Sequence, residues 1–301
     1  MFDRFLATIP QVQDAVLARC ISLVENAAPG YESFMQQLPE SSCPLIGITG
    51  PPGAGKSTLV DAMIATLVAA NKRVGVICVD PSSPFNLGAL LGDRIRMSQW
   101  YTHPQVFIRS LATRGSLGGL HPRILEISSI MQAAGFDYVL VETVGVGQSE
   151  IEIAGLADTT LVVVVPEAGD EVQTMKAGLM EIADIFIVNK SDRPDADMFV
   201  KNLRYMMPSA NLGKDPNWQI PVIKTVASKH EGVVAVIDAM NEHCKTVQSK
   251  ERKFWLLTEK AYHLIQQKKM NHIEKGRLKE QIQFLVQQGA FNLYQFIQTI
   301  D

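Results

Sequence analysis

The sequence predicts an α/β protein with a mostly parallel central sheet that carries helices on both faces. Short, continuous aliphatic and β-branched runs are typical of buried parallel strands, and they lie at 45–49, 73–79, 106–109, 138–142, 160–165, 185–188 and 222–224. Stretches with helical spacing separate many of these runs, at 56–70, 122–134, 173–182 and 195–207. Strands that alternate with helices in this way indicate a parallel sheet covered on both sides.

Helical segments flank this alternating region at both ends. Apolar residues recur at helical spacing between 10 and 28, which predicts an amphipathic helix before the first strand. After residue 231 the pattern is helical throughout, at 233–243, 250–268 and 273–288. We therefore predict an N-terminal helical extension at 1–40, a central domain at 41–245 and a C-terminal helical extension at 246–301. The apolar face of that last extension fits either its own domain or a second subunit.

Composition excludes several classes of protein. The chain of 301 residues has a net charge of −3, so it lacks the excess of positive charge that is typical of proteins that bind nucleic acid. No apolar run approaches the roughly 20 residues that span a bilayer. The N-terminus has no apolar signal-peptide core. The four cysteines form no CxxC or Cys/His cluster and are expected to be free thiols. These observations predict a cytoplasmic protein that binds neither membrane nor nucleic acid.

A phosphate-binding motif connects the first strand with the first long helix. Residues 50–57 read GPPGAGKS and match G-x-x-x-x-G-K-[ST], with strand LIGIT before the motif and a helical stretch after it. Backbone N–H groups of such a loop turn toward phosphates, and the helix N-terminus adds a positive dipole. The predicted backbone contacts come from Gly50, Gly53, Ala54 and Gly55.

The end of this motif carries the side-chain chemistry. Lys56 is placed to reach the β- and γ-phosphates, and the Ser57 hydroxyl is placed to bind Mg²⁺. Thr58 follows at the position expected near the α-phosphate. Together these residues predict a P-loop nucleotide triphosphatase.

The run NKSD at 189–192 follows an apolar strand and predicts the base. The Asp192 carboxylate can accept the N1–H and the N2 amino hydrogens of guanine, an arrangement of donors that adenine lacks. Asn189 is expected to tie the loop together, and the stem of Lys190 to cover one face of the ring. Further on, TVAS at 225–228 follows another strand, and its Ala227 or Ser228 N–H is predicted to reach guanine O6.

Carboxylates after two other strands are candidate metal and switch residues. Asp80 and Asp93 could hold Mg²⁺ directly or through water, and Glu142 follows strand YVLV. Gly145, in the stretch ETVGVGQSE, supplies flexible backbone that suits a loop sensing the γ-phosphate. Lys56, Asp93 and Glu142 are the candidate catalytic residues. Gln148 could orient the attacking water or be an ordinary loop side chain, and the charged stretch 166–176 could be a further switch or a plain acidic loop.

Seven segments together resemble one known family in its own order. They are VLARCISLVEN, GITGPPGAGKSTLVDAM, VDPSSPFNLGALLGDRIRM, TRGSLGGL, DYVLVETVGVGQSE, PEAGDEVQTMKAG and VNKSD, and they fall between residues 16 and 192. The chain is thereby identified as a member of the MeaB/MMAA group, also called ArgK, of SIMIBI-class P-loop GTPases. The resemblance covers roughly residues 10–240, while the C-terminal helices match only in general character.

That resemblance implies a function and a set of roles. It implies a GTPase chaperone of an adenosylcobalamin-dependent acyl-CoA mutase, of the methylmalonyl-CoA mutase type, that gates cofactor loading, protection or rescue. It also implies GTP and Mg²⁺ as ligands, a homodimer, and a third switch at 170–176. By position, Asp80, Asp93 and Glu142 would form the metal and switch carboxylates of this family.

Two alternatives stay open at this point. A metal-delivery GTPase, like the related nickel chaperones, needs a Cys/His ligand set, whereas the six histidines here are scattered. A kinase of a basic amino-acid transport system, which the ArgK name suggests, needs a separate acceptor site with a positioned base. The sequence offers none that the GTPase interpretation does not already use.

Overall fold

The computed structural model describes residues 1–80, 97–113, 120–143, 152–166, 177–207, 218–246, 250–270, 273, 275–289 and 291–300. Three helices come first: α1 (Phe2–Thr8), α2 (Asp14–Glu25) and α3 (Tyr31–Gln36). The alternating region then contains β1 (Leu45–Thr49), α4 (Lys56–Ala69), β2 (Val74–Asp80), β3 (Val106–Ala112), α5 (Ile124–Ala133), β4 (Tyr138–Glu142), β5 (Thr159–Val164), α6 (Ala177–Ile182), β6 (Ile185–Val188), α7 (Ala196–Met206), β7 (Val222–Lys224) and α8 (Val233–Thr246). Three helices follow it: α9 (Lys250–Met270), α10 (Lys275–Gln287) and α11 (Leu293–Ile297).

The strands form one seven-stranded sheet in the order β3-β2-β4-β1-β5-β6-β7. All of its strand pairs are parallel. Ile48 of β1 lies opposite Glu142 of β4 on one side and Leu161 of β5 on the other. Because every strand runs in the same direction, all the loops after strands open on one edge of the sheet. The predicted parallel α/β fold is confirmed.

Helices cover both faces of this sheet. On one face, α1, α2, α3 and α5 bury an apolar cluster against strand residues such as Leu45 and Val139. On the other face, α4 and α8 pack against residues such as Ile46 and Ile48. A third cluster places α6 and α7 against β5 and β6. The alternation of Leu45 with Ile46 between the two faces is the period of two expected of a buried strand.

The N-terminal segment differs from the single helix predicted at 10–28. Its helix α2 begins at Asp14 and ends at Glu25, and the short helices α1 and α3 stand on either side. Phe5 of α1 and Phe34 of α3 are buried and meet edge to face, with ring centroids 5.4 Å apart. Helices of seven and six residues span too few turns to show a helical period in the sequence, so they were missed.

A buried polar network holds the C-terminal end of α8 in place. His243 Nδ1 lies 2.7 Å from the Thr159 hydroxyl, and its Nε2 lies 3.5 Å from the carboxylate of Asp184. Asp184 also accepts a hydrogen bond from the Thr160 amide at 2.8 Å, and its carbonyl accepts one from the Trp218 indole at 2.9 Å. Since these groups precede or begin β5 and β6, the network ties α8 to the amino ends of two strands.

The chain divides into two compact units, Met1–Leu256 and Leu257–Asp301. The helices before residue 40 share a buried cluster with the sheet. In the second unit, many large apolar side chains are exposed, among them Leu257, Tyr262, Ile265, Met270, Phe284, Val286, Tyr294 and Ile297.

The four cysteines, Cys20, Cys43, Cys78 and Cys244, are free thiols, as the sequence predicts. Burial raises the pKa of Cys43 to about 12, and the nearby carboxylates of Asp158 and Asp137 add to the effect. Within the described residues, no helix combines the length and apolar character needed to cross a bilayer.

Candidate nucleotide-binding site

Most of the residues predicted to bind a nucleotide lie at or after the carboxyl ends of four strands, β4, β1, β6 and β7. The GPPGAGKS loop follows β1, Glu142 ends β4, NKSD follows β6 and TVAS follows β7. Because the sheet is parallel, these segments share the edge where open α/β sheets bind ligands. The candidate residues Asp93 and Gly145, together with Gln148 and the stretch 170–176, lie outside the described residues.

Two glycines of the loop are required by the backbone and by close neighbours. Gly50 has a φ of 136° and Gly55 a φ of 87°, conformations that residues with a Cβ rarely adopt. A Cβ at Gly50 would collide with the carbonyl of Val163 in β5, and one at Gly55 would collide with the side-chain amide of Asn189. The loop therefore lies directly against β5 and against the residue that begins NKSD.

The Lys56 side chain folds back over this loop. Its Nζ donates to the carbonyl oxygens of Gly50 at 2.8 Å and Pro51 at 3.1 Å, and the side chain is buried. Lys56 is also the first residue of α4, with Gly55 as the N-cap. The ammonium group and the positive end of the helix dipole thus lie together at one place, a combination that attracts phosphate.

Ser57 and Glu142 are in direct contact although they lie far apart in the sequence. The Ser57 hydroxyl donates to Glu142 Oε1 at 2.6 Å, and both side chains are buried. The register explains the contact, because Glu142 lies opposite Ile48, whose side chain faces α4. The structure thereby brings together two oxygen ligands that the sequence assigned to the metal.

A second link between β1 and β4 had no signal in the sequence. The Thr143 hydroxyl donates to the hydroxyl of Thr49 at 3.0 Å, and the Thr143 amide donates to the Ile48 carbonyl at 3.0 Å. Both threonine side chains are almost completely buried. Thr49 directly precedes the phosphate loop and Thr143 directly follows Glu142, so the bond holds the starts of the two segments together.

Asp80 is the last residue of β2 and is buried. Cys78 of β2 lies opposite Glu142, so Asp80 lies two positions closer to the ligand edge on the same face of the sheet. Its carbonyl accepts a hydrogen bond from the Thr113 amide at 3.0 Å, which joins the end of β2 to the segment after β3.

Asn189 connects the phosphate loop with the two base loops, which are the segments predicted to bind the base, NKSD at 189–192 and TVAS at 225–228. Its side-chain Nδ2 donates to the Ala54 carbonyl at 2.9 Å. Its Oδ1 accepts from the Thr225 hydroxyl and from the Ala227 amide, each at 3.1 Å. The side chain is 2% exposed, and its hydrogen bonds join the start of NKSD to the phosphate loop and to TVAS. The contribution of Thr225 was missed, because only the last two residues of TVAS were singled out.

The rest of NKSD is held by the same neighbouring loop. Ser191 donates to the Thr225 carbonyl through its amide at 3.0 Å and through its hydroxyl at 3.1 Å. Lys190 has a left-handed backbone with a φ of 54°. Asp192 is exposed, and one of its carboxylate oxygens lies 3.3 Å from Nζ of Lys229. Lys229 lies one residue beyond TVAS and was not predicted.

The two predicted O6 donors differ in their surroundings. Ala227 is buried, and its amide donates to Asn189 within the protein. Ser228 follows it on the short 3-10 helix Ala227–Lys229 and is exposed. Thr58, the predicted α-phosphate neighbour, is exposed near the start of α4.

Comparison with known proteins identifies the family. The family model described as methylmalonyl Co-A mutase-associated GTPase MeaB matches residues 17–281. The chain belongs to the MeaB family. A relative from Pyrococcus abyssi, named as a GTPase, is 41% identical over 97% of this chain and 89% of its own length. GTPase ArgK of Escherichia coli is 39% identical over 74% of this chain and 70% of its own length.

Further relatives agree with this assignment. The mouse mitochondrial homologue named for methylmalonic aciduria type A is 31% identical over 93% of this chain and 73% of its own length. The crystal structure of a LAO/AO transport system kinase aligns with a TM-score of 0.69 at 26% identity, covering 99% of this chain and 95% of that one. The protein is accordingly a MeaB-family P-loop GTPase.

Among the described residues, no group of three or more His, Cys, Asp or Glu side chains could hold a metal ion.

We predict that Asn189→Ala weakens GDP binding at least about tenfold, because the loss of three hydrogen bonds frees both base loops from the phosphate loop. The same change should lower the free energy of unfolding by about 2–4 kcal/mol. Titration with a fluorescent GDP derivative and urea denaturation measure the two effects.

The matched control is Asn241→Ala. Asn241 accepts one hydrogen bond from Tyr138 at 2.7 Å, on α8 and away from the ligand edge. The Asn241→Ala variant should be somewhat less stable than the unaltered protein and should bind GDP with the same affinity. GDP affinity of Asn189→Ala within twofold of the unaltered protein would contradict the linking role.

Proposed function

We propose that this GTPase is a chaperone for an adenosylcobalamin-dependent acyl-CoA mutase of the methylmalonyl-CoA mutase type. In this role, GTP binding and hydrolysis gate the loading, protection or reactivation of the mutase cofactor. The observation that carries the proposal is the link made by Asn189 between the phosphate loop and the base loops. A site held in this way suits a protein that reads nucleotide state, and the association of its family with methylmalonyl-CoA mutase supports the choice of client.

Guanine selectivity rests on Asp192. Its carboxylate is exposed at the ligand edge and can accept both the N1–H and the N2 amino hydrogens of guanine. Lys190 lies two residues before Asp192 in the same loop, and its stem would cover a face of the ring. Because the Ala227 amide already donates to Asn189, the Ser228 amide is our candidate donor to O6.

The residues at the end of β4 and the start of α4 fit Mg²⁺. This ion prefers hard oxygen ligands and keeps several of its waters, and Ser57 and Glu142 present such oxygens 2.6 Å apart. Asp80 and Asp93 are further candidate ligands, of which Asp93 lies outside the described residues. A bound Mg²⁺ would neutralise charge on the β- and γ-phosphates, while Lys56 would hold the same phosphates from the loop.

Coupling between the nucleotide and a switch would pass through the end of β4. Glu142 contacts Ser57, and Thr143 contacts Thr49, so both residues are joined to the phosphate loop. The segment 144–150 begins at the next residue. Loss of the γ-phosphate would therefore change the contacts of Glu142 and Thr143, from which this segment starts. We propose catalytic roles for Glu142 from this contact, for Lys56 from its place in the phosphate loop, and for Asp93 from the sequence motif alone.

Two further partners complete the proposal. A second copy of the chain would cover the apolar side chains exposed in the unit Leu257–Asp301, since large exposed apolar patches mark interaction sites. The mutase would bind surfaces whose state depends on the nucleotide, with 170–176 as a candidate third switch. We expect both interactions to take place in the cytoplasm.

Asp192→Asn tests the choice of base. Replacing the carboxylate with an amide removes one acceptor and introduces a donor, so GDP affinity should fall about 100-fold. Xanthosine diphosphate, which carries an acceptor in place of the N2 amino group, should bind the variant better than GDP. Isothermal titration with both nucleotides measures the change in preference.

The control is Asp197→Asn, because Asp197 is an exposed acid on α7 that pairs with Lys224 at 2.8 Å. It should leave both affinities unchanged. If Asp192→Asn bound GDP as tightly as the unaltered protein and gained no affinity for the xanthine nucleotide, guanine would not be read by Asp192.

The client is tested by affinity capture from the native cytoplasm, with the protein loaded either with GDP or with a non-hydrolysable GTP analogue. We expect a cobalamin-dependent acyl-CoA mutase to be captured, in an amount that differs between the two nucleotides. The Lys56→Ala variant, which should not hold phosphate, is the control for nucleotide dependence.

Failure to capture any cobalamin-dependent mutase in either state would reject the chaperone role and leave the GTPase intact. Radiolabel transferred from the γ-phosphate to a partner protein would instead favour a kinase. Release of free phosphate alone is the expected result.

A further inference from the structure

Lys229 lies beside the carboxylate that is proposed to read guanine. Its Nζ is 3.3 Å from Oδ2 of Asp192, with 56% of the lysine side chain and 44% of the aspartate side chain exposed. Lys229 ends the short 3-10 helix that begins at Ala227, in the loop that follows β7. The ion pair therefore joins the two base loops at their outer, solvent-facing side.

Hydrogen bonds fix the positions of the two loops, and these positions bring the charges of Asp192 and Lys229 together. The Ser191 amide and hydroxyl both donate to the Thr225 carbonyl, and the Ala227 amide donates to Asn189. Asp192 and Lys229 follow these anchored residues by one and two positions. With both loops fixed, the lysine stem needs only to extend to reach the carboxylate.

We propose that Lys229 is a positioning residue for guanine recognition. Its ammonium group holds the Asp192 carboxylate in one orientation before the base arrives. A carboxylate oxygen has two lone pairs, so Oδ2 can accept from Lys229 and from a guanine N–H at the same time. The inference rests on the proposed guanine role of Asp192 and adds a second residue to it.

The physical benefit is pre-organisation. An exposed aspartate that rotates freely must be ordered when the base binds, and that ordering weakens binding. A cation that already holds the carboxylate in place lowers the free-energy cost of this ordering. Because GDP and GTP share the same base, Lys229 should affect their affinities equally and leave kcat unchanged. Because the pair is exposed, salt should screen its effect.

Lys229→Met tests the proposal, since methionine keeps much of the apolar stem and lacks the charge. We expect the Kd for GDP and for GTP to rise about three- to fivefold at low salt, in the range of an exposed ion pair. The difference should shrink in about 0.5 M salt, where charges on the surface are largely screened. Lys229→Arg keeps the positive charge and should bind GDP and GTP as tightly as the unaltered protein.

Lys224→Met is the matched control. Lys224 ends β7 and forms a similarly exposed pair with Asp197, 2.8 Å apart, with no proposed contact to the base. It should leave both affinities unchanged. A loss equal to that of Lys229→Met would mean that any cation near this edge acts by general attraction, which would overturn the proposal.

A double-mutant cycle separates positioning from direct contact with the nucleotide. In an Asp192→Ala background, Lys229→Met should have no further effect on GDP affinity, because the carboxylate it orients is gone. The same loss in both backgrounds, or no loss in the single variant, would overturn the role of Lys229 alone. If the unaltered protein bound ADP as well as GDP, the guanine site itself would be rejected together with this inference.

Discussion

The site depends on the side chain of one buried asparagine. Asn189 donates to the Ala54 carbonyl in the phosphate loop and accepts from Thr225 and Ala227 in the loop after β7. Three segments that are distant in the sequence thus have their relative positions set by three hydrogen bonds between buried groups, and a buried polar group without a partner destabilises the fold. Gly55 is required by the same contact, since a Cβ there would occupy the space of the Asn189 amide.

The parallel sheet makes this convergence possible. With β1 at the centre, β4 on one side and β5, β6 and β7 on the other, the phosphate loop lies between the acid of β4 and the base loops. The register places Glu142 beside Ile48 on the face of α4, and the result is the contact with Ser57. The positions of the candidate phosphate and metal residues therefore depend on strand pairing, while those of the candidate base-binding residues depend on Asn189.

Much of this architecture could be predicted from the sequence, for reasons that differ between elements. Continuous apolar runs gave strands such as Leu45–Thr49 and Ile185–Val188 with the observed bounds, because a fully buried strand has little polar interruption. The helices Phe2–Thr8 and Tyr31–Gln36 are too short to show a period and were missed. The Thr49–Thr143 bond and the Lys229–Asp192 pair join residues from different strand ends, and local sequence holds no signal for such pairings.

Hydrogen exchange at the Ala227 amide in the nucleotide-free protein tests the central claim most directly. This amide donates to Asn189 Oδ1 and belongs to a buried residue. If Asn189 holds the base loop in place before nucleotide binds, the amide should already be strongly protected, and GDP should add little protection. Rapid exchange without nucleotide, followed by strong protection on adding GDP, would contradict the account by showing that the nucleotide assembles the site.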